Sequence, residues 1–170
     1  MRPHVSWAAT SGSLAEKTWQ DEIDEIDQTR EVRAKGLVGM KREQIDVAMF
    51  QAVCAPVGMS LRALSELRGI QIRQVSHQNR NPQHAVPKDL LSSYQKLQRS
   101  HGNGKWVKLD HQWMRSIQVT EGCLVCHGAK SFRPEFIQTK YPADRAWGFQ
   151  VGDFRGAYVV TQPSIAPPKD

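Results

Sequence analysis

At 170 residues the chain has room for one domain with a real core and some peripheral helix. Hydrophobic residues make up 39% and charged residues 24%, a balance that favours neither a disordered nor a membrane-embedded class. The formal net charge of +6 raises nucleic acid as a partner, yet no run of Lys and Arg alternates with aromatics along one face, so none is expected.

Residues 1–16, small and polar around Ser11-Gly12-Ser13, read as a flexible lead-in without the apolar core of a signal peptide. No uninterrupted run of about 18 apolar residues follows, so no membrane span is expected. Residues 17–161 read as a single domain and 162–170 as a flexible Pro-rich tail.

The first predicted helix is TWQDEIDEIDQTREVRAKG, with acidic residues early, basic residues late and Gly36 at its end. Its thin stripe of Trp19, Ile23 and Ile26 suggests packing on a partner element or a homodimer through the N-terminal helices. A second helix is predicted over about residues 41 to 67, with Val47, Phe50, Cys54, Val57 and Leu61 on one face. Pro56 should kink or split it beside Cys54. Ile70 to Val75 alternates like a strand, and SHQNRNPQHAVP reads as a loop.

Pro87 opens a third helix with Leu90, Leu91, Tyr94 and Leu97 as its inner face, stopped by the His101 to Gly104 turn. Trp106 to Leu109 and Trp113 to Val119 read as strands, a short helix is expected near Pro134 to Thr139, and Arg155 to Thr161 reads as a closing strand. Helices first and strands later describe an α+β domain.

Between the strands and the short helix lies Cys123-Leu124-Val125-Cys126-His127. Two thiols and an imidazole at this spacing form an attachment site for covalent haem c: Cys123 and Cys126 would be thioether-linked and His127 would be the proximal iron ligand. A zinc knuckle normally needs four Cys and His ligands, and the one remaining cysteine, Cys54, is far upstream. A thioredoxin-like pair should follow a strand in a βαβ pattern and does not call for the histidine. Covalent haem is normally attached outside the cytoplasm, so a periplasmic or other extracytoplasmic location is expected, with the export signal absent from the sequence as it stands.

From Cys54 onward the chain resembles the PAS-like c-type haem sensor domains, which occur free-standing and as extracytoplasmic sensors of histidine kinases and chemotaxis receptors. The resemblance rests on Cys54-Ala55-Pro56, on Ile72-Arg73-Gln74-Val75-Ser76 leading to Arg80-Asn81-Pro82, and on CLVCHG followed by RPEFIQTKYPADRAWGFQVGDFRGA. It covers about residues 40 to 161. It implies a PAS-like antiparallel sheet flanked by N-terminal helices, and six-coordinate iron with Cys54 opposite His127. The chain departs from the family in the polar Ser76-His77-Gln78-Asn79-Arg80 and in His84.

On the residues alone, Cys54 is as readily a small buried hydrophobe as a ligand. Met49, Met59, Met114, His77, His84, His101 and His111 are its rivals. Arg73 and Arg80 are candidates for the haem propionates, since a guanidinium fork matches a carboxylate, with solvated surface arginines as the plain alternative. Tyr141 either donates to a propionate or packs on the porphyrin.

Three functions follow in order. The first is a redox or small-gas sensor binding NO or CO. The second is electron transfer to a redox partner protein. The third, a peroxidase or nitrogen-oxide enzyme, is disfavoured because Cys54 would fill the open iron position, so no catalytic residues are assigned. A cytochrome c′ bundle is disfavoured because Pro134, Pro142 and the glycines from Gly148 break the long helix that would carry its motif.

Overall fold

The computed structural model describes residues 17–100 and 103–163. The predicted flexible lead-in, most of the Pro-rich tail and His101 lie outside the described residues.

Four strands form one antiparallel sheet in the order β1-β4-β3-β2, where β1 is Gln71–Val75, β2 Val107–Leu109, β3 Gln112–Gln118 and β4 Phe154–Thr161. The last strand in sequence is therefore central. Its residues 156 to 160 are all buried, because helices cover both faces of the sheet. Tyr158 and Val160 point to one face, where Ile23, Val57, Leu61 and Leu64 meet them from α1 (Trp19–Lys35) and α3 (Ala55–Arg68). Ala157 and Val159 point to the other, against Leu90, Tyr94 and Leu97 of α4 (Leu91–Arg99) and the turn before it. The fold is α+β with a four-stranded antiparallel sheet and flanking helices.

Local chemistry explains most of the element ends. Helix α1 opens on a capping box in which Thr18 and Asp21 satisfy each other's backbone donors. Helix α3 ends on Gly69 at φ 59°, a left-handed cap that glycine reaches without cost. A two-residue turn joins β2 to β3, with Asp110 at φ 53° and its carboxylate accepting from Ser93.

The structure sharpens two expectations about the helices. The stripe of Trp19, Ile23 and Ile26 packs into the chain's own core, with Ile23 fully buried. The predicted second helix is two: α2 (Val47–Val53) ends and α3 begins at Cys54, and Pro56 falls in the first turn of α3, where no backbone donor is needed. Val47 is exposed, and Val53 takes the buried place instead. By length and composition the helical run Val47–Arg68 is apolar enough to cross a membrane, although polar residues interrupt it. In the fold it is broken at Cys54 and buries Val53, Val57, Leu61 and Leu64.

A buried charge network ties α1 to the sheet. Asp27, 3% exposed, accepts from Tyr158 Oη at 2.7 Å and pairs with Arg30 and Arg115, both at 2.8 Å.

Candidate functional site: a thiol- and imidazole-lined cavity

The chain leaves β3 through an irregularity at Ile117 and Gln118, turns at Glu121 to Cys123, and winds one turn of helix, α5 (Leu124–His127). Gly122 makes this path possible. A Cβ there would lie 2.1 Å from the carbonyl oxygen of Ala34, so only glycine lets the turn press against the end of α1.

This turn and the break at Cys54 face one cavity of about 410 Å³. Cys54, Cys123, Cys126 and His127 all line it. The three thiols are free. Burial raises the pKa of Cys54, and pushes the Cys126 thiol up to about 11. Among the described residues, no group of three His, Cys, Asp or Glu side chains is arranged to hold a bare metal ion. The geometry therefore lends nothing to the zinc knuckle.

His127 is oriented from behind. Its Nδ1 lies 2.8 Å from the carbonyl oxygen of Ala146, so Nδ1 carries the proton and donates, which leaves Nε2 as the free lone pair. Burial lowers the imidazole pKa well below its ordinary value, and the charges of Arg155 and Arg80 act the same way. The ring is neutral at pH 7. The amides of Phe149 and Gly148 bond to the carbonyls of His127 and Gly128, which ties α5 to the following loop.

Arg80 is buried, and it is committed to holding the motif: Nη2 donates to the Cys126 carbonyl at 2.7 Å, and Nε lies 3.3 Å from Asp144. Asp144 also pairs with Arg133 at 2.7 Å and accepts from the Ala146 amide at 2.9 Å. One carboxylate thus fixes both the arginine behind Cys126 and the segment that orients His127.

Arg73 is not brought to the cavity. It pairs with Val159 in the sheet, and the side-chain period of two puts it on the α4 face, while its neighbour Gln74 lines the cavity. Tyr141 does line it, with its ring 6.4 Å from that of Phe50, a packing role. Of the rival ligands, His84 lines the cavity and Met49 packs in the apolar cluster beside Cys54. His77 is bound to Tyr94, Met114 is in the core on the α4 face, and Met59 and His111 are exposed.

Two cavity residues were not singled out as site candidates. Arg30 bridges Asp27 to the site, its Nη1 lying 3.6 Å from Cys123 Sγ. Arg155, within the Gly152-Asp153-Phe154-Arg155 string, lines the wall opened by β4. Neither is marked by spacing, because a helix face and a sheet edge meet here only after folding.

The residues fit a porphyrin with carboxylate arms. The lining is largely apolar, and among the described residues four cations (Arg30, Arg80, Lys140 and Arg155) line it and no Asp or Glu does. Fold and site together define an α+β protein with a partly open cavity built around Cys-x-x-Cys-His and a third thiol. The Tll0287-like family model matches residues 13–163, and the chain belongs to that family. The crystal structure of the cyanobacterial haem protein Tll0287 aligns with it at a TM-score of 0.74 and 41% identity, covering 86% of this chain and 92% of that one. No curated protein matches the chain.

Proposed function

We propose that the chain is a c-type haem protein in which Cys123 and Cys126 hold the porphyrin as thioethers, while His127 and Cys54 are the two axial iron ligands. The observation that carries this reading is the convergence of Cys54, from a helix junction, with the whole Cys-x-x-Cys-His motif on one cavity. The fixed Nδ1 proton of His127, the cationic lining and the kinship with a haem protein support it. When bound, the haem supplies one-electron chemistry and an iron that takes two axial ligands.

The chain's own residues set how that iron is used. Ala146 holds His127 in one tautomer and one orientation. Cys54 stands between α2 and α3, so as a ligand it would tie that helix junction to the site. That coupling supports a redox or small-gas sensor module, with NO or CO as the diatomic ligand taking the place of Cys54. The antiparallel sheet with flanking helices supports the PAS-like description. Electron transfer to a protein partner is the second reading, favoured by the net charge of +6, which assists docking of an acidic surface. Either role is extracytoplasmic, where thioether attachment takes place.

Production alongside a haem-attachment system tests the proposal. The intact mass should rise by one haem that resists acid extraction, and Cys123→Ser with Cys126→Ser should abolish it. An unchanged mass for the unaltered chain contradicts the reading. Binding of CO or NO to the reduced protein separates a sensor from an inert carrier.

A further inference from the structure

The cavity carries more positive charge than the chain balances. Arg30 and Arg80 reach carboxylates behind the wall, Asp27 at 2.8 Å and Asp144 at 3.3 Å. Arg155 has no such partner among the described residues. Its Nη1 donates to two neutral oxygens, Ser76 Oγ at 2.7 Å and the Gln78 carbonyl at 3.1 Å, and its guanidinium lies 5.3 Å over the Phe149 ring. Nε and Nη2 hold no hydrogen bond to any described residue. Asp144, the nearest source of opposite charge, is already taken by Arg80 and Arg133.

A half-buried guanidinium that faces the cavity with only neutral partners is an incomplete arrangement, since a charge drawn out of bulk water is best completed by a counter-charge. Burial lowers the pKa of Arg155 to about 10, with the like charge of Arg80 acting in the same direction. Ser76, which accepts from the side chain, is itself held in place: its Oγ also accepts from the Gln78 amide and donates to the Arg155 carbonyl. The arm is thus built in and its fork is unused.

We propose that Arg155 is the carboxylate-binding residue of the cavity, and that its Nε and Nη2 donors hold a propionate of the haem. Arg80, held behind the motif by its bond to the Cys126 carbonyl and its ion pair with Asp144, takes no part in it. This inference rests on the haem reading above, and it replaces Arg73, which lies on the wrong face of the sheet.

Resonance Raman spectroscopy of the haem-loaded protein reads the hydrogen bonding of propionates through their bending band. In Arg155→Gln that band should move to lower wavenumber, and in Arg155→Lys, which keeps a cation but not the fork, it should move part of the way. Arg62→Gln, on the exposed side of α3, should leave it in place. A band in both Arg155 variants that coincides with wild type overturns the assignment, as does a band that moves only in Arg80→Gln. Should Arg155→Gln fail to fold, Arg155→Lys alone decides between these outcomes. Pyridine haemochrome assays on the same samples keep the two readings apart. Covalent haem with an unmoved band removes Arg155 alone, whereas wild type without covalent haem removes the haem reading and this inference with it.

Discussion

His127 Nδ1 donates to the Ala146 carbonyl across 2.8 Å, and that bond decides which nitrogen is left for the cavity. The support behind it is Asp144, which accepts from the Ala146 amide and pairs with both Arg80 and Arg133. Asp144→Asn should destabilise the protein by about 3–5 kcal/mol, because it leaves buried guanidiniums without their counter-charge. Urea unfolding checks this, and a cost of under about 1 kcal/mol would show that Asp144 does not hold the motif.

Gly122 presses the motif against α1. Gly122→Ala puts a Cβ 2.1 Å from the Ala34 carbonyl oxygen, and backbone cannot swing aside as a side chain does. We expect a loss of about 3 kcal/mol, at the upper end of overpacking costs, with a matching fall in the urea midpoint.

The Asp27 network predicts an acid-sensitive fold. Burial opposes ionisation of Asp27, but Arg30, Arg115 and Tyr158 outweigh it, and its pKa lies below the ordinary carboxylate value. A carboxyl depressed in the folded state contributes stability that is full above its unfolded pKa of about 3.9 and is lost as pH falls through the folded value. Asp27→Asn should therefore cost about 3–5 kcal/mol at pH 7. Its deficit relative to wild type should shrink as the pH falls below about 4. Urea midpoints measured from pH 7 to pH 3 test both the size and the sign.

The sheet strands and the motif were legible in the sequence because each is written in local pattern: alternation for Gln71–Val75 and Gln112–Gln118, a run rich in strand formers for Phe154–Thr161, spacing for Cys123, Cys126 and His127. Pro56 announced the break that carries Cys54, since a missing donor is a property of one residue. The arginines were not legible. Whether a guanidinium faces the cavity depends on strand register and on what the opposing helix presents. Arg73 and Gln74, adjacent in sequence, lie on opposite faces of one strand. Arg30 and Arg155 reach the cavity from α1 and β4, elements far apart in the chain. The stripe on α1 was visible as apolar, and within the chain it packs against α3 and the sheet.

If Cys54 is a ligand whose release frees a helix junction, the reduced protein should bind CO, and Cys54→Ala should bind it faster and at lower concentration. Stopped-flow mixing of the dithionite-reduced forms with CO measures both. Equal rates in the two proteins would count against a coordinating role for the thiol in the ferrous state.

The pairing of Cys54 with His127 on opposite sides of one iron is tested most directly by absorption and EPR spectra of the ferric wild type beside Cys54→Ala. The expected result is a low-spin signal of the thiolate and imidazole kind in wild type, replaced in the variant by a high-spin or differently ligated species. Spectra that coincide would contradict the account and remove Cys54 from the iron.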